Sequence, residues 1–454
     1  TVRLEGTRLL PSDANLLVAG NQVQLRGSFG TAGDKMAVKV DAPSLDKLGF
    51  GLAGRLQVDG QVSGTIERPV VVATLAADKL VFGAQKLQHL SGKVDVSGGL
   101  PGAAGDRLNV TLEGQGLTSD IARLDRLSLA LAGTRGAHTL HLKAAGKLRE
   151  APLDMNLDAA GAVTDTRGKP GWRGTIQTLE NRGVPKLTLA SPWQVQVSAD
   201  RVHLGAAKLV TDAGTALLAN LDYGDGQLKT AGTLDTLDVA QVLRVMHAFT
   251  GESPSVASDL VLDGKWDVHT GQRADGFVEV VRRSGDVTLR RGGLNESVNV
   301  TVTGVPGLTA EKGGVGARVP LGISALRARV DLAGQTAHVT LKAVSSLVGT
   351  LDADIQAGLH VQGGIPEVQD TAPLAGRLAI AIPDLSNFER LAGAQFAFKG
   401  RANLQVTLAG TVGKPRPTGE LTADDLSMQM FDTGVRVKNG RVRIALTPTE
   451  IVLR

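Results

Sequence analysis

From Leu326 to Leu359 apolar and polar residues take turns. Leu326, Ala328, Val330 and Leu332 are interleaved with Arg327, Arg329 and Asp331. After a turn at Gly334 the alternation resumes at Val339 and Leu341, and again at Leu351, Ala353 and Ile355 against Asp352, Asp354 and Gln356. Successive side chains of an extended strand point to opposite faces, so each segment predicts a strand with one aliphatic and one charged side. Short turns make such strands antiparallel neighbours, and their apolar sides merge into one surface.

Most of the chain repeats this pattern. It predicts strands over Leu16–Arg26, Met36–Val40, Leu56–Ile66, Leu80–Phe82 and Val94–Val96, then a glycine-rich breaker at Gly98–Asp106. Beyond it, Leu108, Val110 and Leu112 alternate with polar residues, as do Leu127, Leu129 and Leu131, then Leu140 and Leu142, then Leu153, Met155 and Leu157. Further strands are expected at Trp193–Val197, Leu217–Leu221, Leu228–Leu234 and Val298–Val302, with long loops at Gly304–Gly322 and Gly363–Pro373. At ordinary strand lengths this amounts to about 40 strands. Helical spacing is clear only at Asp238–Phe249, where Val239, Val242, Leu243, Met246 and Phe249 share a face. Asp235 or Asp238 is the expected N-cap and Gly251 the stop, with weaker helical turns at Ser44–Leu48 and Leu385–Leu391.

Segments recur. VSGTIERP (Val62–Pro69) matches LAGTVGKP (Leu408–Pro415), and TLAADKL (Thr74–Leu80) matches ELTADDL (Glu420–Leu426) at the same offset. GKVDV (Gly92–Val96) matches GRVRI (Gly440–Ile444) after a short slip, and LAGTRGAH (Leu131–His138) resembles LAGQTAH (Leu332–His338). One supersecondary unit is used several times.

Composition changes what this surface means. A chain of 454 residues would ordinarily make two or three globular domains, yet this one has 57 Gly and only 3% aromatic residues. Globular cores draw much of their buried area from aromatic rings; here the apolar content is Leu, Val, Ile and Ala, which suits a smooth lining better than an interlocked core. The net charge of +4 is spread along the polar strand faces, which favours a solvated outer side over a nucleic-acid or anionic-lipid patch. The absence of Cys excludes disulfides and thiolate chemistry. The longest apolar run, Pro69–Ala77, falls well short of a membrane-spanning helix. Strand patterns occupy both ends (TVRLEG and EIVLR), so the chain is expected to be cut from a longer one.

Candidate chemistry is sparse. GFGLAG (Gly49–Gly54) fits a dinucleotide-binding string, but a strand pattern follows it where a helix N-terminus is required, so a turn is expected. His138 and His141 lack the partners of a metal site and are expected as exposed strand histidines. The pairs Asp352/Asp354 and Asp424/Asp425 occupy polar strand or turn positions. Trp172, Trp193 and Trp266 are expected as anchors at the edges of the apolar surface. No nucleophile and base come together, so no enzyme, cofactor or metal is expected.

The segments AGTRGAHTLHLKAAG (Ala132–Gly146), GWRGTIQTLE (Gly171–Glu180), PWQVQV (Pro192–Val197) and GTLDTLDVAQV (Gly232–Val242) resemble the TamB family of the AsmA-like group. The likeness extends through ISALRARVDLAG (Ile323–Gly334) and LAGTVGKPRPTGELTADDLSMQM (Leu408–Met430). It implies a long β-sheet bent into an open, aliphatic groove (a taco). It also implies phospholipid passage between the inner and outer membranes, with assembly of outer-membrane proteins as an alternative role. Family members carry an N-terminal membrane anchor and a C-terminal domain that contacts an outer-membrane barrel of TamA type; neither is visible here.

The expectation is therefore an all-β chain: an elongated, curved antiparallel sheet forming an open hydrophobic groove, with a few short helices. One continuous groove is expected over residues 1–454, with sub-units at 1–97, 107–250, 259–362 and 374–454. It would work in the periplasm as a lipid conduit, with phospholipids as cargo and no nucleic-acid partner. The expected lining is Leu140, Leu142, Leu153, Met155, Leu157, Val298, Val300, Val302, Val330, Leu332, Val339, Leu341, Leu351, Ile355, Leu404, Val406, Leu408, Val442 and Ile444. Val300→Asp or Val406→Asp would then block transfer. The other readings are a chaperone-like groove that takes unfolded strands by edge pairing, a closed sandwich or β-helix, and a β-solenoid stalk.

Overall fold

The structure is a computed structural model that describes residues 4–5, 8–98, 106–166, 169–251, 257–290, 318–389, 396–430, 434–448 and 450–453. Those residues hold 33 strands, one α-helix and two single-turn 3-10 helices. Many of these strands are longer than expected: Phe396–Thr411 runs 16 residues and Lys414–Met430 runs 17, while the strand expected at Val298–Val302 lies outside the described residues. The chain divides into two units, Thr1–Asp212 with Arg244–Glu252 and Ala213–Leu243 with Ser253–Arg454.

Within unit 1 consecutive strands pair antiparallel from Arg8–Val18 through Lys169–Asn181. Within unit 2 the same holds from Gly214–Gly224 through Gln227–Asp238, Val261–Thr270, Ala274–Ser284 and Ile323–Gly334 to Arg436–Leu446. This is the fold class expected: all-β, antiparallel and curved, with one apolar face left open. The solenoid reading fails, because coils of a solenoid stack in parallel and the ladders between the described strands are antiparallel.

Long strands bend at bulges, where one extra residue enters one partner. The internal repeat turns out to be such a bent hairpin. Gly54 has φ 103° opposite Lys79 at φ 50°, and Gly400 has φ 123° opposite Asp425 at φ 55°, at matching places in the two copies. A Cβ at Gly400 would lie 2.8 Å from the Asp424 carbonyl oxygen, so the close approach of the bulged strands requires glycine there.

The helix Val239–Thr250 begins and ends as expected. Asp238 caps it by accepting from the Gln241 amide (3.1 Å), and Gly251, at φ 75°, donates back to the His247 carbonyl (2.8 Å). The helical turns are Leu45–Leu48 and Leu385–Phe388. GFGLAG is a turn into the strand Leu52–Gly64. Two expected loops contain strand instead: Arg318–Pro320 pairs with Val287–Arg290, and His360–Gln362 forms a hairpin with Ile365–Glu367. The tip of that hairpin is tied down, since Tyr223 Oη and Thr270 Oγ1 donate to the carbonyls of Gly363 and Gly364. The three-residue strands on either side of Gly363-Gly364 are too short to show an alternation of their own.

One turn carries a pH signature. Thr31 Oγ1 and Ser28 Oγ donate to the Asp34 carboxylate, both at 2.7 Å, the Thr31 amide adds a bond of 2.9 Å, and Arg8 lies 3.5 Å away. These bonds, that from the Thr31 hydroxyl foremost, lower the Asp34 pKa from 3.8 to about 2. A carboxyl whose pKa is depressed by folding stabilises the fold above its unfolded pKa and loses that contribution as pH falls through the folded one. Asp34→Asn should therefore lower the urea midpoint at neutral pH, and the difference from wild type should vanish as pH drops from 3.8 to about 2. An equal difference at every pH would show that charge is not involved.

Candidate functional site

The registers line the apolar residues up in rows that run across the strands. In unit 1 one row passes from Leu16 through Val23, Val40, Val58, Leu75, Gly92, Leu112, Leu129, Leu142 and Leu157 to Leu179. A second contains Val94, Val110, Leu131, Leu140 and Ala159. In unit 2 one row runs Gly232, Trp266, Val278, Val330, Val339, Ile355, Gly376, Leu408. Beside it lie Val280, Ala328, Leu341, Ala353, Leu378, Val406, and then Leu326, Ala343, Leu351, Ile380, Leu404, Leu421, Ile444. Each row is an apolar band, almost wholly aliphatic, with glycine at a few crossings and Trp266 at one.

These bands are not packed away. Among the described residues no large side chain is fully buried, and the most buried apolar residues are chiefly alanines such as Ala77, Ala151 and Ala274. Leu140, Leu142, Leu153, Met155, Leu157, Val330, Leu332, Val339, Leu341, Leu351, Ile355, Leu404, Val406, Leu408, Val442 and Ile444 are all half-buried. Val298, Val300 and Val302 lie outside the described residues. In a closed sandwich the inner positions of both sheets lose nearly all contact with solvent. Here the aliphatic face keeps some, so the closed-sandwich reading is set aside.

The tryptophans lie on this lining. Trp266 is in mid-strand rather than at an edge, its indole lying across Gly232 and its Nε1 donating to Thr230 Oγ1 (3.1 Å). Trp172 covers Gly161 and Gly174 in the same way. Rings laid over glycine add apolar surface to the lining, and only a residue without a Cβ leaves room for them. His138 is not an exposed strand histidine: it is 6% exposed, on the same side of its strand as Leu140. Trp172 Nε1 donates to His138 Nε2 (2.8 Å), and His138 Nδ1 is 3.0 Å from the Thr134 carbonyl. A carbonyl only accepts, so Nδ1 is the donor of this pair and Nε2 the acceptor. The signal was its parity with Leu140 and Leu142, which the polar character of the residue masked. His141, of opposite parity, faces the polar side, where its Nδ1 is 2.6 Å from Asp158; that bond leads the causes holding the Asp158 carboxyl below its usual range.

The other face is polar and tied together across strands. Arg107 meets Asp95 (2.9 Å), His338 meets Asp354 (2.9 Å) and Arg441 meets Asp424 (2.8 Å), so Asp354 and Asp424, each from one of the two aspartate pairs, sit in cross-strand ion pairs. Sequence reasoning passed over the densest knot. Glu279 is buried among Lys265, Arg327 and Arg329, while Phe277 beside it has Arg329 4.2 Å and Lys265 5.5 Å from its ring centre. Burial opposes ionisation of Glu279, but its bonds to Lys265 and Arg327 outweigh it and hold the carboxyl below the usual range. A shallow cavity of about 410 Å³, with Glu113, Arg126, Lys143 and Glu180 in its lining, also opens on the polar side.

Within each unit, therefore, the two faces differ: one aliphatic and open, the other charged and paired across strands. Residues 6–207 match the family model described as TamB, N-terminal domain. The chain belongs to the TamB family. The matched residues fall in unit 1 and contain its whole aliphatic row. Among the described residues of this TamB-family chain, no helix is long and apolar enough to cross a membrane.

Proposed function

We propose that this chain is a non-enzymatic conduit that carries phospholipids between the inner and outer membranes of a Gram-negative envelope. Acyl chains lie against the aliphatic rows while headgroups stay in water. The observation that carries this reading is the row of Val and Leu, interrupted by Gly92, that crosses every strand from Leu16 to Leu179 and is half-buried from Val23 onward, with no large side chain fully buried among the described residues. Membership of the TamB family supports it. Keeping one methylene from water is worth about 0.8 kcal/mol, so an unshielded two-chain lipid would face a cost on the order of 20 kcal/mol. Similar residues in successive rows give similar energies at successive positions, which favours sliding over trapping. In this reading the chain works in the periplasm, and segments beyond residues 1–454 link it to the inner membrane and to an outer-membrane barrel of TamA type.

Native mass spectrometry after gentle purification tests the proposal. The expected result is phospholipid mass retained by the folded chain and lost in detergent. An empty chain that binds unfolded outer-membrane strands would instead support a chaperone-like groove. Such a groove needs free strand edges, and the inner strands of both ladders are already paired on both sides.

A further inference from the structure

The turns of unit 1 fall alternately on two rims of its sheet, and the rims differ. On one rim lie the turn after Arg8–Val18, the 3-10 segment before Leu52–Gly64, the turn after Pro69–Phe82 and the turn after Leu108–Thr118. These tips display Leu17, Val18, Phe50, Phe82 and Ile121, with Phe50 77% and Phe82 66% exposed. The opposite rim has two exposed large apolar residues at its described turns, Ile66 at 44% and Val197 at 38%, both less exposed than either phenylalanine. Tight turns favour Gly, Asn, Asp and Ser, and nothing in the strand pattern calls for aromatic rings at them. Phe50 is held out between Gly49 (φ 74°) and Gly51 (φ 70°), where an added Cβ would meet open space.

Cations accompany these tips. Lys47 stands beside Phe50, Lys79 and Lys86 flank Phe82, Arg123 follows Ile121, and the next turn on that rim carries Lys147 and Arg149. Asp46, Asp120 and Glu150 lie within the same turns, and Asp78 and Asp125 flank them, against these six cations. Successive tips are two strands apart, roughly 10 Å. Isolated apolar residues at that spacing, set among cations, can each enter the interfacial zone of a bilayer while lysine and arginine meet anionic headgroups. We propose that this rim of unit 1 is an edge that docks on an anionic phospholipid surface. A second copy of the chain is a poorer occupant, because like rims would bring cations together. The proposal rests on the rim alone and stands or falls apart from the conduit reading.

Flotation with vesicles of phosphatidylethanolamine and phosphatidylglycerol tests it, with phosphatidylcholine vesicles as reference. The chain should float with the anionic vesicles, less so at high salt, and more weakly with phosphatidylcholine. Phe82→Ser should weaken binding on the order of tenfold, and Phe50→Ser with Phe82→Ser further, as expected for losing inserted rings. Ile66→Ser on the other rim should change nothing. All three positions are exposed, and circular dichroism checks that the fold is kept. A chain that stays at the bottom of the gradient, or a double variant that floats like wild type, overturns the proposal. So does a dimer in sedimentation equilibrium that the double substitution dissolves, which would assign the rim to a second copy. Phospholipid retained in native mass spectra alongside failed flotation would remove the rim proposal and leave the conduit standing.

Discussion

Val406→Asp should abolish phospholipid transfer between donor and acceptor vesicles while leaving the fold in place. Val406 lies on the unit 2 lining, opposite Leu378 on one side and Gly419 on the other, and is half-buried. Because the face is open, an introduced carboxylate can reach water when no cargo is present, and its cost to the fold is about 1–2 kcal/mol. An acyl chain at that position would strip the carboxylate of its water or leave a hydrated gap in an apolar path. A barrier of about 3 kcal/mol from either cause slows passage on the order of a hundredfold. The neighbouring Thr407 supplies the control, since it points to the polar face between Arg377 and Thr418. Thr407→Asp adds the same charge one residue away and should leave transfer unchanged. Equal transfer by Val406→Asp and wild type would sink the conduit reading, whereas loss in both variants would point to general electrostatics rather than to the lining.

How much of this was legible in the chain depends on what alternation can encode. Parity assigns Leu326, Ala328, Val330 and Leu332 to one face without any knowledge of partners, and the structure places them in neighbouring rows. Parity does not give register, so the row from Leu16 to Leu179 could not be read off, nor the way Leu112 and Leu75 fill the gap at Gly92. Local signals did well where the cause is local: Asp238 and Gly251 bracket the helix because capping needs only neighbouring residues. They failed where the cause is distant. His138 is buried because Trp172, 34 residues on, supplies the donor its Nε2 accepts. Glu279 is buried because Lys265 and Arg327 arrive from strands on either side. The repeat was visible as sequence, but its physical meaning, a bent hairpin with Gly54 or Gly400 at the bulge, needed backbone angles.

Gly232→Val should be the most damaging small change to unit 2. A Cβ at Gly232 would lie 2.5 Å from the Leu217 carbonyl oxygen and would run into the Trp266 indole that lies across the glycine. The carbonyl belongs to the adjoining strand and cannot move without breaking the ladder. The ring can move, but only by giving up its bond to Thr230 Oγ1 and rising from the lining. Overpacking of this kind costs about 2–4 kcal/mol. Hydrogen exchange should show protection lost in Gly214–Gly224, Gln227–Asp238 and Val261–Thr270 while the strands of unit 1 keep theirs. Trp266→Ala in the same chain should recover part of the loss, since it removes the ring clash and leaves the carbonyl clash. That non-additivity separates the two causes. If the valine variant were as protected as wild type, the indole could not be lying over residue 232. The consequence extends to cargo: an indole lifted into the aliphatic face obstructs it, so the variant should slow phospholipid transfer below what its stability loss alone predicts, and adding Trp266→Ala should restore transfer more fully than it restores stability.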